Sequence, residues 1–316
     1  MNIQSANTEP FYKFLRGQEN LGSNIKLAYG ALHAIVENEG ATLPQKEIGL
    51  IALPTGDEPW GNPKTHWRTI KRRVPLVREF IAQMALVLVT SAFEDFVSNV
   101  ISEHNRYSGF SGKQPPPRPL SNQENESRDP LRHLYSSLQW DAKPIQYLLP
   151  VYDYFTLARN CVVHRAGRAS DTLIEVASSS LLRDCLENWP SRPGKILPQL
   201  PQIQRGHDTP FLPRHAILFS EVCQRAAREI DARLLEYLGV DGIVYMAAYH
   251  GLLADDRIKT SARRSPEQII NLMLTQRCRV AVPDKYEVIG ILKRLNTWNR
   301  CRSKYNKLFP NAKRPK

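Results

Sequence analysis

The sequence has no CxxC pair, and its five cysteines (Cys161, Cys185, Cys223, Cys278, Cys301) are odd in number and widely spaced. That pattern argues against a zinc ribbon and against a disulfide framework, so a reducing, cytoplasmic compartment is expected. There is likewise no GxxxxGK[ST], no GxGxxG, no HExxH and no GxSxG. The readily recognised nucleotide, zinc-protease and serine-hydrolase signatures are thereby set aside. The eight histidines are dispersed without the close pairs typical of metal ligands, so neither a metal nor a cofactor is expected. Long apolar runs are also missing. The longest, Ile81 to Phe93, is interrupted by Gln83, Thr90 and Ser91 and falls short of the ~20 residues that cross a bilayer. The N-terminal MNIQSANTEPFYKF lacks a basic n-region followed by an apolar core, so neither export nor membrane association is expected.

What is present is a globular composition with one-sided charge. At 316 residues and 42% hydrophobic content, the chain can bury a core without staples, in one large domain or two. Residues 1 to 258 carry 28 basic and 28 acidic side chains, whereas residues 259 to 316 carry 15 basic and 3 acidic ones. The whole excess of +12 therefore lies in the last 58 positions. A one-signed cluster of this kind creates a field that attracts phosphate backbones or acidic partners.

Helical spacing dominates. It predicts helices from about Ser23 to Asn38, from Trp67 or Val74 to Asn105, from Leu131 to Gln139, from Ile145 to about Arg165 and from Arg214 to Leu238. In the long second helix Leu76, Val77, Phe80, Ile81, Met84, Leu88, Phe93, Phe96, Val97 and Val100 make a wide apolar stripe, as in the core helix of a bundle. Loops are expected from Gly40 to Pro63, over Gly109 to Ser127, where PPPRP reads as a rigid spacer, and over residues 189 to 213, whose six prolines suit a connector or lid. Gly239 and Gly242 mark a boundary, after which short helices are expected over Gly242 to Ala254, Pro266 to Leu274 and Tyr286 to Lys307. The fold class is mainly α, a helical domain over 1–238 with loop insertions and a small basic helical module over 239–316.

One string stands out, LARNCVVHRAG at Leu157 to Gly167, which brings Arg159, Asn160 and His164 within six residues. Asn160 and His164 are about 40° apart around a helix, so the amide can hold one imidazole nitrogen and leave the other free. Arg159 and His164 are about 140° apart, and converge only at a helix end or in a cleft shared with another subunit. His164 falls in the last turn before Gly167, where the helix dipole favours imidazolium. An imidazole that moves protons beside a permanently charged guanidinium is the minimum kit for RNA transesterification: the 2′-hydroxyl is the nucleophile, His164 handles the proton and Arg159 stabilises the phosphorane. Arg159 in an ion pair and His164 as an ordinary helix-end residue is the alternative.

The string RNCVVHRAG, preceded by the helix carrying TSAFEDFVSNVI (Thr90 to Ile101), resembles the HEPN superfamily, in particular the RNxxxH-bearing HEPN proteins of bacterial defence and toxin systems. The resemblance covers residues 70 to 170, with an extension to 238. It implies a HEPN-like helical bundle with Arg159 and His164 as the catalytic pair and Asn160 modulating them. It further implies a homodimer with a composite cleft, and products ending in 2′,3′-cyclic phosphate and 5′-hydroxyl. The expected activity is a metal-independent endoribonuclease in antiviral defence or a toxin system, acting on RNA, with tRNA a candidate substrate, and with room for a partner or inhibitor protein. The competing class is a noncatalytic HEPN dimerisation or scaffold protein that binds DNA or RNA through its basic C-terminus.

Glu94, an acid within the apolar helix, either pairs with Arg159 or faces solvent. Cys161 reads as a small packing residue. Towards the C-terminus Arg277, Arg279, Lys293, Arg294, Arg300, Arg302, Lys304 and Lys307 are the candidate RNA contacts, interleaved with Trp298 and Tyr305; Trp298 is expected in the core.

Overall fold

The computed structural model describes residues 1, 3, 5–37, 67–112, 129–190, 197–255, 257, 264–281 and 284–310. The PPPRP run and the Gly40 to Pro63 loop lie outside them. The described residues form α1 (Glu9–Glu37), α2 (Trp67–Ser111), α3 (Pro130–Ser137), α4 (Leu149–Arg165), α5 (Asp171–Ser178), α6 (Ser180–Glu187), α7 (Pro213–Ala248), α8 (Pro266–Leu272), α9 (Lys285–Arg294) and α10 (Trp298–Leu308). Wide turns over Tyr249–Leu253 and Met273–Arg277 extend α7 and α8. The one strand-type contact among the described residues is an isolated bridge between Arg168 and Asp208. The fold is mainly α.

Two compact units divide the chain. The first comprises Met1–Gly17, Ser91–Tyr147 and Cys223–Lys316, the second Gln18–Thr90 and Leu148–Val222. The boundary read from sequence coincides with a break inside α7, where Gly239 takes φ 59°. It falls within the first unit, so the basic C-terminal helices share a unit with the N-terminus and the second half of α2 rather than standing alone.

The first unit is built on aromatic packing around buried charge. Phe14 meets Phe93 and Phe96 at centroid separations of 6.0 and 5.1 Å, and Phe110 stacks on Tyr245 at 4.1 Å. Asp231 is buried and accepts both the Thr8 backbone N–H, at 3.0 Å, and the Thr8 hydroxyl. Burial, which outweighs those hydrogen bonds, pushes its carboxyl up to about 7. Glu103, also buried, lies 2.9 Å from Nε2 of His250 and accepts a hydrogen bond from Arg106, whose guanidinium sits 3.9 Å over the Tyr249 ring. Burial acts to raise Glu103, but the His250 hydrogen bond and charge and the Arg106 charge outweigh it and hold the carboxyl below its usual range.

In the second unit α4 packs against α5 and α6, and Phe155 stacks on Phe219 at 5.1 Å. Sequence spacing missed α5 and α6. Each is a single eight-residue helix opened by a serine cap, Ser170 accepting the Leu173 N–H and Ser179 the Leu182 N–H. His215 is buried; its Nδ1 accepts the Leu212 N–H at 3.0 Å and its Nε2 lies 2.9 Å from the Gln199 carbonyl oxygen. That arrangement ties the proline-rich connector to the start of α7.

The apolar stripe expected on α2 is only half a core stripe. Val74, Ala82, Ala85, Leu86 and Val89 are buried, whereas Leu76, Val77, Phe80, Met84 and Leu88 are exposed, at 65%, 59% and 53% for Leu76, Phe80 and Leu88. Of these, Leu76, Phe80, Met84 and Leu88 recur at every fourth residue and so form one face. By length and composition Val74–Ser111 is apolar enough to cross a bilayer, with a best window of mean hydropathy 1.6 of which 33% is buried.

Candidate active site

The Arg159-Asn160-His164 string lies on α4, entirely within the second unit. A short 3₁₀ turn over Lys143–Leu148 leads into it, and Pro150 occupies its first turn, where a missing N–H costs nothing. Val151, Tyr154, Phe155, Ala158 and Cys161 recur at three- and four-residue spacing and are buried, which fixes the helix rotation. Arg159 and Asn160 are left half-buried at the rim, and His164 is exposed in the last turn.

The helix stops one residue before the expected glycine. Ala166 takes the left-handed conformation (φ 51°) and Gly167 follows at φ 87°, and both of their N–H groups point at the Cys161 carbonyl. Gly167 also sits close to α2: a Cβ there would lie 3.3 Å from Nε2 of Gln83. Its carbonyl accepts the Thr209 N–H at 3.1 Å and the Thr209 hydroxyl at 2.7 Å, and the Ala169 N–H donates to the His207 carbonyl at 3.1 Å. The proline-rich segment thus braces the turn after His164, a role for which its composition gave no signal beyond a connector or lid.

Within the string, Nη1 of Arg159 donates to Oδ1 of Asn160 at 3.0 Å. The amide therefore orients the guanidinium, and not the imidazole as the four-residue spacing suggested. Cys161 is buried and its thiol lies 3.6 Å from the Ser170 hydroxyl, the packing position expected for it. Glu94 is half-buried and belongs to the first unit.

Two carboxylates that sequence reasoning did not select, Glu79 and Asp208, belong to the same unit as the string. Burial raises Glu79 above the usual range and the Asp208 charge raises it further, while its Oε1 accepts from Nε2 of Gln83 at 3.3 Å. No local pattern links positions so far apart in sequence. Among the described residues no group of three or more His, Cys, Asp or Glu could hold a metal ion.

The candidate nucleic-acid contacts separate into two kinds, all in the first unit. Arg277 is drawn inward, hydrogen-bonded to buried Glu9 with its guanidinium 5.2 Å from the Tyr12 ring centroid. Arg294 pairs with Asp241 at 2.7 Å and Lys304 with Asp255 at 3.4 Å. Arg279, Lys293, Arg300, Arg302 and Lys307 are exposed. Trp298 is buried, together with Cys301 and Tyr305, on the inner face of α10.

A scan against protein-family models finds no match for this chain, and searches of curated proteins and of solved structures find none either.

Proposed function

We propose that the chain is a metal-independent endoribonuclease of the HEPN kind. The observation that carries this reading is the arrangement at the end of α4: a guanidinium braced by the neighbouring amide, and an exposed imidazole five residues on in the last helical turn. His164 is accessible for proton transfer at the attacking 2′-hydroxyl or the departing 5′-oxygen. Arg159 keeps its charge and its fork geometry to stabilise the phosphorane. The 2′-hydroxyl gives up its proton as its oxygen bonds to phosphorus, the bond to the 5′-oxygen breaks and that oxygen takes a proton, leaving 2′,3′-cyclic phosphate and 5′-hydroxyl ends. Since RNA alone carries the nucleophile, RNA is the substrate, and the exposed cations near the C-terminus supply long-range attraction to it.

A single motif imidazole per chain, His164, suits a homodimer in which two copies of the motif share a cleft. The exposed face of Leu76, Phe80, Met84 and Leu88 supports this, because a contiguous apolar patch on a helix marks an association surface, and it lies in the same unit as the motif. A role in antiviral defence or toxin-like growth arrest rests on the resemblance of RNCVVHRAG to HEPN proteins, and a cytoplasmic location on the scattered, unpaired cysteines.

The test is incubation of the purified chain with total RNA and with tRNA in EDTA, alongside Arg159→Ala and His164→Ala. The expected result is cleavage by the wild type only, with 2′,3′-cyclic phosphate ends. Cleavage that persists in both variants overturns the site. A wild type that binds RNA and cuts none favours the noncatalytic scaffold.

A further inference from the structure

The last two helices have a geometry that bulk positive charge does not require. α9 ends at Arg294, α10 begins at Trp298, and only Leu295, Asn296 and Thr297 connect them. The turn is tightly made. Asn296 takes the left-handed conformation (φ 51°), which asparagine tolerates better than most residues, and its N–H donates to the Lys293 carbonyl at 3.0 Å. Thr297 is fully buried; its N–H donates to the Leu292 carbonyl at 2.8 Å, and its own carbonyl accepts the first N–H of the next helix, from Cys301, at 3.1 Å. The three N–H groups of the junction all close α9, the Thr297 carbonyl opens α10, and the Thr297 hydroxyl donates to the Leu295 carbonyl at 3.0 Å, so the turn constrains the relative direction of the two helices.

A third helix holds the pair. α8 packs against both α9 and α10, and Ile269 and Ile270 of the first, Val288 and Leu292 of the second and Trp298 and Tyr305 of the third are buried. Because Trp298, Cys301 and Tyr305 point inward at three- and four-residue spacing, the rotation of α10 is set and its other face is turned to solvent. That face presents Asn299, Arg302, Ser303, Asn306 and Lys307, which line an open concavity, and α10 contains no acidic residue.

We infer that α9 and α10 form a helix-turn-helix whose second helix reads the major groove of duplex DNA. A three-residue turn between two helices packed on a third is the framework that lets one helix project from the surface. The residue types on the projecting face are those that discriminate base edges: asparagine pairs bidentately with adenine, arginine with guanine, and serine serves either. The amides of Asn299 and Asn306 add to the cations groups that both donate and accept, as the edge of a base requires. Lys307, near the end of α10, and exposed Lys293, near the end of α9, supply charges for phosphate contacts. The groove decides the ligand, since the B-form major groove, about 12 Å wide, admits a helix, while the deep, narrow major groove of A-form RNA does not. This inference goes beyond the ribonuclease reading and does not rest on it.

The experiment uses the full chain. A pool of random-sequence DNA duplexes is carried through rounds of binding and recovery, and the enriched duplex is compared by fluorescence anisotropy with a scrambled duplex and with an RNA duplex of the same sequence. The expected result is a defined enriched sequence bound about 10-fold or more tightly than either control. Asn299→Ala and Arg302→Ala should each lose roughly 10-fold on the enriched duplex and little on the scrambled one, whereas Lys307→Ala should weaken both alike. Equal or tighter binding of the RNA duplex, no enriched sequence, or Asn299→Ala and Arg302→Ala losses that are the same for every sequence would overturn the inference. All three substitutions are at exposed positions, and unchanged thermal melting confirms that each variant is folded. RNA cleavage by the same preparations is read separately, because Arg159 and His164 are intact in all of them.

Discussion

Arg159 and Asn160, adjacent in sequence, are joined through their side chains: Nη1 of the guanidinium donates to Oδ1 of the amide at 3.0 Å. Neighbours on a helix point about 100° apart, so this contact bends a long side chain sideways across the helix rim and fixes one nitrogen of the fork. Asn160 is then a positioning residue for Arg159. Asn160→Ala should lower RNA cleavage by roughly 10- to 100-fold with thermal stability unchanged, because the amide that holds Nη1 of Arg159 is lost. Asn160→Asp should restore the brace but offset the guanidinium charge, and so should not restore activity. Single-turnover rates for the two variants, with melting curves, check this; an Asn160→Ala variant as fast as wild type would remove Asn160 from the site.

His164→Ala should be the more damaging change, at about 100- to 10,000-fold, because it removes the proton-transfer group itself. The pH profile separates the two cases. The Asn160 variants should keep the wild-type profile at a reduced rate, and the residual activity of His164→Ala should lose it. Rates measured across pH 5 to 9 provide the comparison.

The turn that follows the motif predicts two substitutions of opposite sign. Ala166 holds φ 51° with a Cβ, so Ala166→Gly should stabilise the protein by about 0.5–1 kcal/mol. Gly167 holds φ 87°, and an added Cβ meets Gln83 at 3.3 Å, so Gly167→Ala should cost about 1–2 kcal/mol. Gly167→Ala should also reduce cleavage, since its carbonyl anchors Thr209 beside the helix end that carries His164. Thermal melting of the two variants side by side is the measurement.

Local features of the fold were legible because local rules made them. The start of α8 is visible as Ser265 followed by Pro266, and Ser265 does cap the helix, with Gln268 completing a capping box. The stop after His164 was visible in Gly167, although the positive φ begins one residue earlier, at Ala166. The buried face of α2 was not legible. Apolar residues occur on both sides of that helix, and it is Ala82 and Ala85, not Phe80 and Leu88, that face inward, which hydropathy alone does not reveal. The second end of each long-range contact was also hidden: His250 lies 147 residues from Glu103, and Thr8 lies 223 residues from Asp231. In the candidate site, Arg159 and His164 were legible as residue types at a spacing, whereas the partner of Asn160 required side-chain directions.

Glu103 and His250 form a buried pair whose disruption should be costly. His250→Ala leaves the Glu103 carboxylate with Arg106 alone in a buried setting, and should destabilise the first unit by about 3 kcal/mol at neutral pH. The sign with pH follows from the depressed carboxyl. Stability from Glu103 is fully present above its unfolded value of 4.5 and is lost as pH falls through the lower folded value. The gap between wild type and Glu103→Gln should therefore be widest at pH 7 and narrow below pH 4.5, as read from chemical denaturation at each pH.

Asp231 should behave in the opposite sense. Its folded carboxyl is raised from 3.8 to about 7, so between those values the native state holds a proton that the unfolded state has released. Stability then falls as pH rises from about 4 to about 7, and levels off above that. At 1.36 kcal/mol per unit the full cost is about 4 kcal/mol at most. Asp231→Asn keeps an acceptor for the Thr8 N–H and hydroxyl and never ionises. The variant should be more stable than wild type at pH 8 and no more stable at pH 4, with Thr8→Ala weakening the protein at both. Denaturant midpoints for the three proteins at the two pH values decide it, and an Asp231→Asn variant less stable than wild type at pH 8 would show that the charged carboxylate is itself what the native state requires.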